Sequence, residues 1–241
     1  MIIQACLNGA RPKGFHPSLP LTAEDMARDG AACVSAGAAE LHFHPRVTPD
    51  REGLAAVDET ILAVRKACPG TLLGVSTGAW IEGDEHETRS RIAAWRHPPD
   101  YASVNLAESD APAIMELLRQ RHIGIEAGLA TAADAERFVR LRNRDGVLRV
   151  LVEIEEQDFP SARRAAEDIV AILERSDIGR PVLLHGLDAT MWPLLELARR
   201  RRWSTRIGLE DGRFLGDGSV ARDNPHLVAE AVRLFRRDGG T

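Results

Sequence analysis

The sequence lacks several features that mark particular classes of protein. Its 241 residues include 31 lysines and arginines against 36 acidic residues, so the formal net charge is −5. A nucleic-acid-binding protein would instead show a basic excess. No apolar run approaches membrane-spanning length, and the N-terminal MIIQACLNGARPKG has no charged segment leading into a long apolar stretch, as a signal peptide would. We therefore expect no nucleic-acid and no membrane partner.

Cysteine is also scarce, and the glycines form no nucleotide-binding motif. Cys6, Cys33 and Cys68 lie in apolar contexts without CxxC spacing, which predicts reduced core thiols and a cytoplasmic protein. No Gly-rich dinucleotide fingerprint follows the first predicted strand, and the sequence contains no P-loop.

The sequence does contain a regular alternation of two patterns. Eight short apolar segments alternate with eight segments whose apolar residues recur at helical spacing. Eight strand–helix pairs in 241 residues match the count and size of a (β/α)₈ TIM barrel of the α/β class. A doubly wound open sheet is the alternative, but eight even units favour closure, so we predict a single barrel domain over residues 1–241. The predicted strands are 2–7, 40–44, 71–77, 101–106, 124–129, 148–154, 181–185 and 205–210, and the predicted helices begin at Thr22 and then cover 53–68, 84–95, 111–121, 131–143, 161–176, 189–200 and 225–236.

Two histidines stand one residue apart in the second predicted strand. Alternate side chains of a strand share a face, so His42 and His44 should point the same way. Two neutral imidazoles suit zinc or a similar divalent ion, and a catalytic site needs a third protein ligand and an open position. The eighth strand of a closed barrel lies beside the first, so Glu210 can approach the pair. The alternative is that both histidines are hydrogen-bonded core residues.

The eighth strand carries a group of charged residues near its end. A regular strand places Arg206, Gly208 and Glu210 on one face, and the chain leaves the strand at Asp211. Adjacent acids can divide the work, one binding the metal and the other moving protons. Arg206 could hold Asp211 ionised, bind a substrate carboxylate, or form a structural ion pair.

The predicted strand ends are polar, whereas the strand interiors are not. Active sites of this fold lie at the C-terminal ends of the strands, so these residues are the candidates for substrate contacts. Glu126, Glu153 and His185 are expected to support the site or the barrel and are metal ligands only in reserve. Ser76 and Ser103 are candidates for hydroxyl groups in the site, with a turn serine and an ordinary strand serine as the alternatives. The residues predicted to bind substrate are Asn8, Arg11, Thr77, Gly78, Asn105 and Glu126.

Five segments together resemble the β-keto acid cleavage enzymes, a family that includes 3-keto-5-aminohexanoate cleavage enzyme of lysine fermentation. The resemblance runs in order over most of the chain and is strongest from Arg206 to Leu234. The segments are NGA (8–10), LHFHPR (41–46), VSTGA (75–79), ASVNL (102–106) and TRIGLEDGRFLGDGSVARDNPHLVAEAVRL (205–234).

The resemblance implies a zinc-dependent barrel that cleaves a β-keto acid with acetyl-CoA, giving acetoacetate and a new acyl-CoA. His42, His44 and Glu210 would bind the metal, and Asp211 would be the acid/base residue, supported by Arg206. Ser76 and Ser103 match positions whose hydroxyl groups assist the substrate, and relatives can carry threonine at the latter. The family also suggests a homo-oligomer. Arg213 and Arg222, which flank the loop after the eighth strand, are candidates for contacts with acetyl-CoA.

Two departures from the family pattern bear on the reaction. The amine-substrate member has an acidic residue after its NGA-like turn, where this chain has Arg11. Because arginine pairs well with carboxylates, we expect a substrate with a neutral or anionic tail. The region 126–185 is compact and divergent, which leaves a changed acyl donor or acceptor open.

Two other functions remain as alternatives. A metal-dependent hydrolase of the amidohydrolase type also carries HxH on a barrel strand, but on the first strand and with further histidines on later ones. A non-catalytic metal-binding homologue would not need the acid and arginine at Asp211 and Arg206.

Overall fold

A computed structural model describes residues 1–142 and 144–236, so Asn143, the last residue of one predicted helix, and residues 237–241 of the predicted domain lie outside the described part. Eight parallel strands close into a barrel with helices between them, which confirms the predicted fold class. The barrel strands are β1 (Ile3–Cys6), β2 (Glu40–Phe43), β5 (Leu72–Ser76), β6 (Tyr101–Asn105), β7 (Gly124–Leu129), β8 (Arg149–Ile154), β9 (Val182–Gly186) and β10 (Ser204–Ile207). Two further strands, β3 (Arg46–Thr48) and β4 (Arg51–Glu52), lie outside the barrel. The helices are α1 (Ala23–Ala36), α2 (Val57–Ala67), α3 (Glu85–Ala94), α4 (Ala111–Gln120), α5 (Ala132–Arg140), α6 (Phe159–Arg175), α7 (Met191–Arg201) and α8 (Asn224–Arg236).

The barrel closes between its first and last strands, as predicted. The strand order is β1-β10-β9-β8-β7-β6-β5-β2, and β2 in turn pairs with β1. In this register Gln4 of β1 lies beside Arg206 of β10, and Cys6 lies beside His42 of β2. Closure therefore brings the last strand and the histidine strand to the two sides of β1.

One element was not anticipated. β3 and β4 form a small antiparallel hairpin between β2 and α2, outside the barrel sheet. Its strands of three and two residues are too short to show a periodic pattern in the sequence. The hairpin brings Glu52 back towards the end of β2.

Helix starts follow the local sequence closely. Thr22 precedes α1, and its hydroxyl accepts a hydrogen bond from the amide of Asp25 at 3.1 Å, as the capping pattern predicted. Thr131 and Asp134 form a full capping box at α5.

The three cysteines are free and buried, as expected. No helix in the described residues is long and apolar enough to cross a membrane.

The lower interior of the barrel contains charged residues. Arg149 contacts the carboxylates of Glu40 and Glu126, the latter at 2.7 Å, and its guanidinium lies 5.0 Å from the ring centroid of Tyr101. Gln4 donates to Glu126 at 3.2 Å. Buried charges need such partners because water cannot solvate them. Glu126 is thus the third residue of β7 rather than its end, and it belongs to this cluster.

Candidate metal centre and active site

His42, His44 and Glu210 come together at the C-terminal end of the barrel. Nε2 of His42 lies 4.0 Å from Oε2 of Glu210, and Nε2 of His44 lies 3.6 Å from Oε1 of the same carboxylate. The three donor atoms all lie within 4.8 Å of one another. His42 and His44 are buried, and Glu210 is nearly so. The structure thus brings together the three side chains that the sequence named, and their role as metal ligands stays a prediction.

The strand that carries Glu210 ends earlier than predicted. β10 stops at Ile207, and a turn follows in which the amides of Asp211 and Gly212 donate to the carbonyl of Gly208 at 2.9 and 3.1 Å. A Cβ at Gly208 would lie 1.7 Å from the carbonyl oxygen of Cys6, so only glycine fits where the chain leaves the strand. The turn, and not strand alternation, carries Glu210 towards the histidines.

The cluster fits a tetrahedral divalent ion. A tetrahedral ion about 2.0–2.1 Å from each donor needs the donors roughly 3.4 Å apart. Nε2 of His44 and Nε2 of His42 lie 3.6 and 4.0 Å from the carboxylate oxygens of Glu210, so small side-chain shifts would bring these donors to that spacing. Oε2 of Glu210 is buried and has no hydrogen-bond partner among the described residues. An orphaned buried carboxylate oxygen beside two imidazoles is what a bound cation would satisfy.

The two histidines differ in their protonation. Burial, opposed by Glu210, lowers the pKa of His42 to about 3, so its imidazole is neutral and can coordinate a metal. Burial also disfavours charge on His44, but the carboxylates of Glu210 and Glu52 outweigh it and raise its pKa to about 9. Without a metal, His44 therefore carries a proton that a metal must displace.

Glu52 orients His44 from behind. Its Oε2 lies 2.7 Å from Nδ1 of His44, and its side chain is 11% exposed. A carboxylate on Nδ1 keeps a proton there and turns Nε2 towards Glu210. Asn8 fixes the backbone of the same residue, because its side chain accepts from the amide and donates to the carbonyl of His44, both at 2.9 Å. Glu52 was not predicted from the sequence, because the strands of its hairpin are too short to show a periodic pattern.

Arg206 links the acidic residues of the site. Its Nη2 donates to Glu210 at 2.7 Å and to Glu153 at 3.0 Å, and its Nε lies 3.7 Å from Oδ1 of Asp211. Burial opposes ionisation of Glu210, but Arg206 and the two histidines outweigh it and hold the pKa of that carboxyl well below its usual range. Arg206 thus keeps the carboxylate that faces the two histidines ionised.

Asp211 is fully buried and does not line the cavity. Its Oδ2 accepts from the thiol of Cys6 at 2.7 Å, and its Oδ1 lies 3.1 Å from Nδ1 of His185. Nε2 of His185 lies 2.9 Å from Oε2 of Glu153, which does line the cavity. A carboxylate–imidazole–carboxylate chain therefore runs from Asp211 to the cavity wall, with a hydrogen bond between His185 and Glu153 and a charge contact outside hydrogen-bond geometry between His185 and Asp211.

His185 and Glu153, the two members of this chain nearest the cavity, have shifted pKa values. Burial and Arg206 lower the pKa of His185, but contacts with Asp211 and Glu153 outweigh them, and the net shift is upward. Burial raises the pKa of Glu153, but His185 and Arg206 prevail and lower it to about 2. Glu153 and His185 were reserve metal ligands in the sequence analysis, and the structure places them in this chain rather than in the His42–His44–Glu210 cluster.

A cavity of about 440 Å³ opens above the cluster at the C-terminal face of the barrel. Its volume suits a small organic acid or part of a larger ligand. The cavity is lined by Ala10, Arg11, Pro12, His42, His44, Ser76, Trp80, Ser103, Asn105, Leu151, Glu153, Glu155, Leu187, Asp188, Arg206 and Glu210.

Of the residues predicted to bind substrate, Arg11 and Asn105 lie on this wall and the other four do not. Asn8 holds the backbone of His44, and Glu126 belongs to the cluster below. Thr77 is buried and donates to the carbonyl of Ser103 at 2.7 Å. A Cβ at Gly78 would lie 2.2 Å from the ring of Trp80, which stacks on His44 at 6.3 Å between centroids. A position at a strand end therefore does not show whether a side chain lines the cavity or is buried behind the residues that line it.

The whole sequence matches a known protein family. A family model described as β-keto acid cleavage enzyme matches residues 1–241. The chain belongs to the β-keto acid cleavage enzyme family. The 3-keto-5-aminohexanoate cleavage enzyme of Fusobacterium nucleatum subsp. nucleatum is 23% identical over 258 residues, covering 99% of this chain and 92% of that protein. The enzyme of the same name from Acetoanaerobium sticklandii is 21% identical, covering 99% of this chain and 93% of that protein.

Solved structures show the same fold. The apo structure of ObcA superposes with a TM-score of 0.76 at 19% identity, over 93% of this chain and 63% of ObcA. Its ternary complex with a C4-CoA adduct and oxalate gives 0.75 at 21% identity, over 93% of this chain and 65% of ObcA. This chain therefore spans less than two thirds of the length of ObcA.

Proposed function

We propose that this chain is a Zn²⁺-dependent enzyme that condenses a β-keto acid with acetyl-CoA and releases acetoacetate and a new acyl-CoA. The observation that carries the proposal is the cluster of His42, His44 and Glu210 at the cavity, with Arg206 and Asp211 behind it, in a chain that matches the family over its whole length. The binary complex of ObcA with oxaloacetate and its ternary complex with a CoA adduct support keto-acid and CoA substrates.

Zn²⁺ bound by His42, His44 and Glu210 would polarise the ketone and stabilise negative charge on its oxygen. The hydroxyls of Ser76 and Ser103 lie on the same cavity wall. Ser76 Oγ accepts from the amide of Gly78 at 3.2 Å, so its own hydrogen is available to a substrate oxygen. We assign both serines to substrate positioning.

The reaction requires one proton to be removed and returned. The carbon between the ketone and the carboxylate loses a proton, attacks the acetyl carbonyl and displaces the CoA thiolate. The thiolate then attacks the ketone carbon, the carbon–carbon bond breaks, and the proton returns to the carbon now in acetoacetate. We assign this proton to Asp211. Because Asp211 is buried, exchange along His185 to Glu153 on the cavity wall is the route that the contacts support.

The tail of the keto acid is proposed to be neutral. The sequence-based expectation of a neutral or anionic tail rested on Arg11, but two nitrogens of that guanidinium are already bonded within the protein. Glu155 and Asp188 lie on the same cavity wall and would repel an anionic tail. A homo-oligomer and a cytoplasmic location, suggested by the family and the thiols, remain part of this proposal.

The test is an incubation of zinc-loaded protein with acetyl-CoA and a panel of β-keto acids, followed by mass spectrometry of acyl-CoA species. We expect a new thioester with keto acids of neutral tail and none with Asp211→Asn, which should still bind zinc. The position of HxH on β2 gives no support to an amidohydrolase-type site. Zinc-bound protein that forms no thioester with any acid would refute the proposal and point to a non-catalytic homologue.

A further inference from the structure

Arg11 occupies an unusual position for a residue on a substrate cavity. Its Nε donates to the carbonyl of Glu210 at 2.9 Å, and its Nη2 donates to the carbonyl of Asp211 at 3.1 Å. Nη2 also contacts the carboxylate of Asp188 at 3.0 Å. The acceptors are thus the main chain of the candidate metal ligand, the main chain of the candidate acid/base residue, and a carboxylate that neutralises the guanidinium.

Arg11 is also covered on one face. Its guanidinium carbon lies 4.4 Å from the ring centroid of Phe15, and its side chain is 23% exposed. A planar guanidinium that stacks on a ring and bonds along its edge has lost most of its freedom to turn towards a substrate.

The loop that carries Arg11 is itself fixed. Nη2 of Arg46 donates to the carbonyls of Gly9 and Arg11 at 2.9 and 2.8 Å. Gly9 has a positive φ of 53°, and a Cβ there would lie 2.4 Å from Cγ of Glu210. The loop therefore packs against the side chain of Glu210, while Arg11 binds the backbone carbonyl of Glu210.

The third loop of this arrangement comes from β9. The amide of Asp188 donates to the carbonyl of Asp211 at 2.7 Å, so Asp211 is bound from both sides. We propose, building on the metal site proposed above, that Arg11 is a positioning residue. Together with Asp188 it forms a clamp on the carbonyls of Glu210 and Asp211, which sets the metal ligand and the acid/base residue in place and does not read the substrate tail.

The clamp complements Arg206. Arg206 holds the carboxylate of Glu210, and Arg11 holds the backbone from which that carboxylate projects. The register of β1 with β10 ends at Ala5 and Ile207, and beyond it the amide of Glu210 donates to the carbonyl of Cys6 at 3.4 Å. Without the clamp, the main chain of Glu210 would keep that long hydrogen bond and the bonds within the turn, and it would lose the shorter bond from Arg11 to its carbonyl.

The test compares Arg11→Met and Arg11→Lys with Arg65→Met. Arg65 is a matched control at the opposite end of the barrel, because it also pairs with an aspartate, Asp100, at 3.2 Å and donates to a backbone carbonyl at 3.5 Å. Lysine keeps the charge of Arg11 but cannot bridge two carbonyls and Asp188 with one planar group.

Two measurements need no turnover. Hydrogen exchange of metal-free protein should be faster at the amides of residues 209–212 in both Arg11 variants and unchanged in Arg65→Met. Zinc affinity, from competition with a chromogenic chelator, should fall about 10-fold in both Arg11 variants, as for other groups that orient metal ligands. An equal loss of zinc affinity in Arg11→Lys and Arg11→Met would show that the positive charge of Arg11 is not sufficient to hold the two carbonyls.

The opposite result is equally defined. Unchanged exchange and zinc affinity in the Arg11 variants, with KM raised only for acids of anionic tail and restored by lysine, would overturn the clamp and make Arg11 the tail-binding residue. If wild-type protein bound no zinc or formed no thioester, the proposed function would fail, whereas the exchange experiment would still decide the clamp.

Discussion

Glu52 should control the zinc affinity of the site although it does not touch the ion. Its carboxylate lies 2.7 Å from Nδ1 of His44 and leaves Nε2 for the metal. A hydrogen bond to a charged group contributes about 1.5–3 kcal/mol, roughly twice that of a neutral one. Glu52→Gln keeps a neutral acceptor and should lose about 1.4 kcal/mol, or 10-fold in zinc affinity, whereas Glu52→Ala should lose about 100-fold, the upper end for groups that orient metal ligands.

Protonation of His44 sets the pH of the measurement. Its pKa of about 9 means that zinc must displace a proton at neutral pH. Removing the Glu52 carboxylate lowers this pKa, so fewer protons compete with zinc and part of the loss is hidden at pH 7. The full effect should therefore be visible only near pH 9 and should shrink as the pH falls.

The assay is competition with a zinc chelator at pH 7 and 9. Glu82→Gln is the matched control, because Glu82 accepts from the amide of Leu54 at 2.8 Å in the same region and contacts no metal ligand. Equal zinc affinity of wild type and Glu52→Ala at both pH values would contradict this prediction and limit Glu52 to a structural contact between the hairpin and His44.

Three further predictions concern other parts of the chain. Burial raises the pKa of Asp29 from 3.8 to about 7, so the folded state binds more protons between these values and stability falls as the pH rises through them. Asp29→Asn should be more stable than wild type at pH 8, by up to about 4 kcal/mol in urea unfolding. The same dependence of unfolding free energy on pH in the variant and in wild type would contradict this. Gly9→Ala should lower zinc affinity without unfolding the barrel, because its Cβ would push Glu210 aside, and unaltered chelator competition would count against it. His185→Gln should lower kcat by at least about 10-fold with KM unchanged, since it breaks the link between Asp211 and the cavity wall, and a wild-type rate would exclude that route.

The fold could be predicted because its signals are local. Alternating apolar runs and helical patterns set the order of strands and helices, and strand alternation put His42 and His44 on one face. The capping at Thr22 was likewise visible over four residues. The β3–β4 hairpin could not be predicted, because two or three residues show no period.

The candidate site was predicted in its members more than in its arrangement. Glu210 does meet the histidines, but through the turn after Gly208 and not through an extended strand. Asn8 and Glu126 were assigned to substrate, yet one holds the backbone of His44 and the other neutralises Arg149. Polarity at a strand end does not tell whether a side chain faces the cavity or its support.

The alternation of strand and helix patterns along the chain predicts the barrel fold class and places the imidazoles of His42 and His44 on one face of a strand, because both follow from residues near one another in the sequence. The bonds of Arg11 to the carbonyls of Glu210 and Asp211 follow only from the folded barrel, because its closure brings residues 199 and 200 positions apart to hydrogen-bond distance. The contacts of His185 with Asp211 and Glu153 likewise join the ends of separate strands, and no single segment of the sequence shows which strand-end side chains meet.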